Sequence, residues 1–161
     1  MKSEQEANLA IKKYADTVRR ICFVHLKNYH DAEDVFQQVF LKYVLRSEKF
    51  QSDAHEKAWI IRVAINACKD TLKNFFRRKV TSIEELTTEP FYIEDDKRDV
   101  LNAVLGLSSK YKNVIYLFYF EGYSALEIAA MLQRRENTIY TWLSRAKAQL
   151  KTSLGGESFE E

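Results

Sequence analysis

Residues 124–150, SALEIAAMLQRRENTIYTWLSRAKAQL, read as two helices with almost nothing between them, and whether that pair reads DNA or is only a packed hairpin is the question the chain poses. Ser124 and Glu127 form the S-x-x-E pattern. In it the hydroxyl and the carboxylate each accept from the other residue's backbone N–H, which starts a helix at Ser124. After the turn, Ile139, Leu143, Ala146 and Leu150 recur at i, i+4, i+7 and i+11, with Trp142 beside them. This spacing gives one apolar stripe, predicted to pack on Ile128, Ala129 and Leu132 of the preceding helix. The opposite face presents Asn137, Tyr140, Thr141, Ser144, Lys147 and Lys151, with Arg145 at its margin. From Arg134 to Lys151 there are five bases and one acid, so the face is positive. Basic groups suit a phosphate backbone, and Asn, Thr, Tyr and Ser can reach base edges in a major groove. A helical hairpin with a solvated basic face has the same pattern, so the rest of the chain has to decide between them.

The preceding residues keep the helical period. Val100, Leu101, Val104 and Leu105 form one apolar set; Ser108 or Ser109 then caps KYKNVIYLFYF, and Gly122 provides a stop. Residues 80–97, VTSIEELTTEPFYIEDDK, break the pattern with the only Pro and six acids before the first base. They are predicted to form a flexible acidic linker. Before them, residues 8–79 read as three helices. The first, about 8–29, has Leu9, Tyr14, Val18, Ile21 and Cys22 as its buried stripe. The second runs from an N-cap at Asp31 to about Arg46. A loop, SEKFQSDAHEK, leads into the third, about 56–78, built on Trp59, Ile60, Val63, Ala64 and Ala67. With four Gly and one Pro in 161 residues, strands and tight turns are disfavoured and an all-α fold is expected. Its domains are predicted as 1–79 and 98–154, with a disordered tail over 155–161.

Two helices carry more than their packing needs. In the second, Ala32, Val35, Phe36, Val39 and Tyr43 share the core side, while Asp34, Gln37, Gln38, Leu41 and Leu45 lie opposite. Apolar anchors framed by hydrogen-bonding groups suit docking on another protein; burial of both faces within one domain is the alternative. In the third, Arg62, Asn66, Lys69 and Lys73 fall at i, i+4, i+7 and i+11, and seven bases against one acid lie between Lys57 and Lys79. Such a stripe attracts phosphates by counterion release, and Asn66 can add a base contact. The net charge of +2 thus averages over segments of opposite sign.

Other chemistries find no support. Cys22 and Cys68, and His25, His30 and His55, have no metal-ligand spacing, and two unclustered cysteines suit reduced, buried thiols in the cytoplasm. No apolar run approaches the ~18 residues of a membrane span. There is no carboxylate cluster, Gly-rich phosphate loop or activated nucleophile, so no catalysis, cofactor or metal is expected.

Taken together the segments resemble an extracytoplasmic-function sigma factor, the two-domain branch of the sigma-70 family. DAEDVFQQVFLKYV (31–44) is similar to the D-x-x-Q-x-x-F segment of region 2, and AWIIRVAINACKDTLK (58–73) to its W-(L/I)-x-R-(I/V)-A-x-N segment. LSSKYKNVIYLFYFEGYSALEIAAML (107–132) resembles the opening of region 4, and NTIYTWLSRAKAQL (137–150) its recognition helix. The resemblance implies that Asp34, Gln37, Gln38 and Leu41 dock on the clamp helices of the polymerase β′ subunit. Lys57, Arg62, Asn66, Lys69 and Lys73 would read and open the minus-ten element of promoter DNA. The loop Gln51 to Lys57 would capture a base flipped from the non-template strand. Arg134, Arg135, Asn137, Thr138, Tyr140, Thr141, Ser144, Arg145 and Lys147 would face the minus-thirty-five element, and the apolar side of that domain the β flap. It also implies an acidic linker threading the polymerase channel, an anti-sigma partner, and a chain that is monomeric when free.

The turn before the recognition helix departs from the family's L-G-(I/V)-(P/S)-x-G-T-V. Gln133 replaces a Gly suited to positive φ, at roughly 1 kcal/mol if the backbone is kept. Arg134 replaces an apolar residue, which suggests that Arg134 and Arg135 contact phosphates, and Tyr140 and Trp142 stand where Lys or Arg is common. A stand-alone helix-turn-helix regulator is the competing expectation; it accounts for residues 124–151 but leaves the Asp34/Gln37/Leu41 face and the Asn66 stripe without a role.

Overall fold

Helix α1, Glu4–His25, starts at a second S-x-x-E box that the apolar period near residue 8 conceals: Glu6 N–H donates to Ser3 Oγ at 3.1 Å, and Ser3 N–H to Glu6 Oε1 at 3.2 Å. Hydrogen bonds from Ser3, the backbone one foremost, hold the Glu6 carboxyl below its ordinary pKa. The helix buries Ala10, Tyr14, Thr17, Val18, Ile21, Cys22 and His25. Leu9, expected in that stripe, falls on the far side at 64% exposure. Helix α2, Tyr29–Leu45, is capped by Asn28 rather than Asp31, because the Asn28 amide oxygen already accepts from His30 and Asp31 N–H. Helix α3 spans Asp53–Arg78, so Asp53 to Lys57 form its first turns and the loop before it is shorter than expected.

The computed structural model describes residues 1–78 and 98–155, and the side chains of all of these except 75–78 and 98. The expected linker, 80–97, and tail residues 156–161 lie outside the described residues. The chain divides into two compact units, Met1–Phe91 and Tyr92–Glu161. In the first, α1, α2 and α3 each pack on the other two. Their shared core holds Val18, Ile21 and Cys22 from α1, Val35 and Val39 from α2, and Ile60, Ile61, Ala64 and Cys68 from α3. Burying each Val or Ile contributes about 1.5–3 kcal/mol. Both cysteines are buried thiols outside any disulfide.

The second unit comprises α4 (Arg98–Leu105), α5 (Ser109–Ile115), α6 (Ala125–Leu132) and α7 (Glu136–Ser153). Ser108 is the N-cap of α5, although its side chain makes no capping bond. α5 continues as a π-helical turn, Tyr116–Phe120, closed by Glu121 N–H donating to Tyr116 O at 3.1 Å. There the Tyr116 and Phe120 rings stack at 5.2 Å and the Tyr116 hydroxyl donates to Glu121. Gly122 then takes φ 79°, the left-handed conformation that glycine adopts without strain. The Ser124–Glu127 box forms as expected, with bonds of 2.9 and 3.1 Å. Ile139, Leu143, Ala146 and Leu150 of α7 are all buried with Ile128 and Ala129 of α6, while Leu132 is half-buried. Among the described residues all regular structure is helical, and no helix is long and apolar enough to cross a membrane.

Candidate nucleic-acid and polymerase interfaces

The two sides of α2 separate sharply. Val35, Val39, Phe40 and Tyr43 are buried and Ala32 and Phe36, expected in the core, only half-buried, whereas Asp34, Gln37 and Gln38 are exposed with Leu41 and Leu45, at 58% and 59%. Burial of both faces within this unit is therefore not what α2 does. Two leucines stand in solvent on a helix whose core side is already filled.

On α3, Asn66, Lys69 and Lys73 are exposed and Arg62 and Lys57 half-buried, so the basic stripe lies outside the core. The side chains of Arg77 and Arg78, and Lys79 entirely, lie outside the described residues. Trp59, expected in the core, is half-buried, because it forms part of an aromatic cluster that the helical period does not register. Phe50, in the loop before α3, lies 5.5 Å from Trp59 and stacks on Tyr43 at 6.0 Å. The Arg46 guanidinium lies over Phe50 at 4.5 Å and over Trp59 at 5.2 Å. Lys2 closes the other side: its Nζ donates to Arg46 O at 2.8 Å and its N–H to Val44 O at 2.9 Å, completing the end of α2. A cleft of about 450 Å³ opens beside Phe50, lined by Lys2, Glu6, Tyr43, Ser47 and Glu56. The only sequence signal for this cluster is a lone aromatic, Phe50, in an otherwise polar loop.

Glu56 fixes the start of α3 relative to the other two helices. Its Oε1 accepts from the Tyr14 hydroxyl and its Oε2 from the Tyr43 hydroxyl, each at 2.8 Å. Burial first, and donation to Glu56 second, raise both phenols well above their ordinary pKa. Lys13 Nζ adds a 3.5 Å pair with Asp53 and a 3.9 Å pair with Glu56.

In the second unit, Arg134, Arg135, Asn137, Tyr140, Thr141, Ser144 and Arg145 are exposed along one side of α7 and its preceding turn. Thr138 and Lys147 are half-buried at the edges of that surface. The Thr141 hydroxyl donates to Asn137 O at 3.0 Å, which leaves its oxygen lone pairs and methyl group facing outward. Tyr140, 54% exposed, reaches back to Glu136 with a 3.4 Å bond. Gln133 adopts φ 56°, ψ 50°, so the left-handed turn survives without its glycine. Gln133 N–H donates to Ala130 O at 3.4 Å and Arg134 N–H to Ala129 O at 2.9 Å, the Schellman pattern that closes α6. Among the described residues no group of His, Cys, Asp or Glu could hold a metal ion.

This pairing of units matches known families. Residues 10–79 match sigma-70 region 2 and residues 97–150 match sigma-70 region 4. The ECF RNA polymerase sigma factor SigW of Bacillus subtilis is 25% identical over 158 residues, covering 88% of this chain and 84% of that one. RNA polymerase sigma factor SigV of the same organism is 26% identical over 144 residues, covering 86% and 84%. Among solved structures, the sigma factor RpoE of Bartonella quintana, in complex with the anti-sigma factor NepR, superposes with a TM-score of 0.78. That match covers 96% of this chain and 99% of that one at 21% identity, a likeness of fold. CnrH, solved with the cytosolic domain of CnrY, gives a TM-score of 0.68 at 20% identity, covering 97% and 92%. With regions 2 and 4 in order and sigma-factor relatives aligned over most of its length, the chain belongs to the extracytoplasmic-function branch of the sigma-70 family of RNA polymerase sigma factors.

Proposed function

We propose that this sigma factor divides its task among three helices: α2 grips the polymerase, α3 reads and opens the minus-ten element, and α7 reads the minus-thirty-five element. As a sigma factor of this branch the chain directs core polymerase to specific promoters and initiates DNA opening. The observation that carries the division is the α2 surface. Asp34, Gln37, Gln38 and Leu41 stand exposed on a helix whose other side is filled, which suits capture by the β′ clamp helices. On α3, Arg62, Asn66, Lys69 and Lys73 face the phosphates and bases of the opening duplex, with Lys57 at the upstream end. Holding an unstacked base by stacking and hydrogen bonds offsets a few kcal/mol of lost base stacking, so strand separation needs no nucleotide hydrolysis. Phe50 and the cleft beside it lie where that base would be received. On α7, Asn137, Thr141 and Ser144 reach base edges while Arg134, Arg135, Arg145 and Lys147 hold phosphates, with Tyr140 and Thr138 at the edges. The β flap meets the apolar side of this unit. The acidic residues of 80–97 thread the polymerase channel, and an anti-sigma protein is a further partner, as NepR is for the Bartonella quintana RpoE. The chain acts in the cytoplasm, as a monomer before it meets the polymerase.

The test is gel filtration of the chain with core polymerase, followed by transcription from genomic fragments. The triple variant Asp34→Ala/Gln37→Ala/Leu41→Ala is expected to elute separately from core and to give no promoter-specific transcripts, while the exposed α1 control Lys12→Ala still co-elutes. Normal co-elution of the triple variant would remove α2 from the polymerase interface.

A further inference from the structure

Trp142 occupies a position where this family commonly has a cation, yet it gathers two cations from elsewhere. The Lys110 ammonium, on α5, lies 5.5 Å from the centre of the Trp142 indole, and the Arg134 guanidinium, in the turn before α7, lies 5.9 Å from it. Arg134 also donates to Gln133 O at 3.2 Å, a bond made possible by the left-handed turn. Both cations are exposed and Trp142 is half-buried, and Lys110 also lies 5.3 Å from the centre of the Tyr111 ring, so two aromatic rings hold charge at this edge. Among the described residues no carboxylate forms an ion pair with either cation. Two exposed cations gathered at one ring without an acidic partner give this edge of the unit a local positive potential that favours an anion. Attraction to the indole quadrupole offsets part of their mutual repulsion; a bound anion would remove the rest.

We propose that Lys110 and Arg134, held over Trp142, form a clamp for the phosphates of one strand of the promoter duplex, and that Lys110 is therefore a DNA-binding residue outside the recognition helix. The inference rests on α7 being the helix that enters the major groove. At 100° per residue, Arg145 lies about 75° to one side of the reading face Asn137, Thr141 and Ser144, with Trp142 about 60° further round towards the core stripe, and Lys147 and Lys151 lie to the other side. A helix about 10–12 Å across fills a groove about 12 Å wide, so groups on both flanks meet the phosphate walls. The two cations are at most about 11 Å apart, within reach of neighbouring phosphates that rise ~3.4 Å per nucleotide along a strand. The substitution of Trp142 for a cation thus keeps positive charge on this flank and moves its source to two other elements.

The experiment measures binding of the reconstituted holoenzyme to a duplex carrying the minus-thirty-five element, against salt concentration. Lys110→Gln is expected to weaken binding equally on preferred and scrambled hexamers and to reduce the log–log salt slope by about 1. In a Trp142→Leu background Lys110→Gln has a smaller effect, and Trp142→Phe, which keeps a weaker aromatic partner, restores part of it. An unchanged slope in Lys110→Gln, with Thr141→Ala/Ser144→Ala still relaxing hexamer choice, overturns the clamp and leaves α7 as the reading helix. If those α7 substitutions also leave hexamer choice unchanged, the placement of α7 in the groove fails with it.

Discussion

Gln133 shows how a single residue can keep a turn that its chemistry opposes. An L-residue in the left-handed region loses roughly 1–2 kcal/mol, while glycine there loses only its greater unfolded-state freedom, ~0.5–1 kcal/mol. Gln133→Gly is therefore expected to stabilise the second unit by about 0.5 kcal/mol in urea unfolding, and Gln133→Ala to give no such gain. A loss of stability in Gln133→Gly would mean that the glutamine side chain does more than tolerate the turn. Glu56 presents the opposite case, a carboxylate whose surroundings satisfy it fully. Removing both donors with Tyr14→Phe/Tyr43→Phe leaves it poorly solvated, at a cost of about 1–3 kcal/mol. The two phenols are raised in the folded state, so their contribution is complete below the unfolded value of ~10 and is lost as pH rises beyond it. Denaturation across pH 8 to 11 should show the parent losing stability at the alkaline end and the double Phe variant losing less. Parallel curves would argue against the tie.

The two-faced helix α2 separates folding from recognition within 17 residues. Val35 and Val39 are fully buried, so Val35→Ala should lower stability by about 2 kcal/mol. Leu41→Ala and Leu45→Ala remove exposed methyl groups and should stay within about 0.5 kcal/mol of the parent in unfolding. The same pair is expected to weaken binding to core polymerase at least tenfold by fluorescence titration. If unfolding shifted and polymerase binding did not, the exposed leucines would belong to the fold. Most of this division was legible beforehand, because a helical wheel sorts side chains by angle alone. Helix ends were less so. The apolar stripe of α1 begins at Ala10, but its capping box lies at Ser3, and the cap of α2 is Asn28 because an amide oxygen two residues before the helix interior reaches the free N–H groups first.

Each of the two units has its own buried core, and the proposed division of labour assigns each one promoter-facing helix. A fragment of residues 1–79 is therefore expected to keep its helical circular dichroism and to bind core polymerase, while 98–155 keeps its fold and binds core more weakly, through the β flap alone. The intact chain should show a promoter affinity that falls steeply with salt, with contributions from α3 and α7 removable separately by charge-neutralising substitutions. A 1–79 fragment that failed to fold would show the units to be mutually dependent.

By itself the sequence determined the helical class, the division into two units, most of the core stripes though not Leu9, Phe36, Trp59 or Val63, the Ser124 cap and the exposure of the α2 and α7 faces. All of these follow from angular periodicity and local hydrogen bonding, which act over a few residues. Tertiary structure alone decided the rest. Glu56 meets Tyr14 and Tyr43 across 42 and 13 residues of chain, Phe50 joins Tyr43, Trp59 and Arg46 around a cleft, and Lys110 and Arg134 converge on Trp142 from separate elements. No period links such positions. Helix packing brings them together, and it depends on which ridges fill which grooves rather than on spacing along the chain.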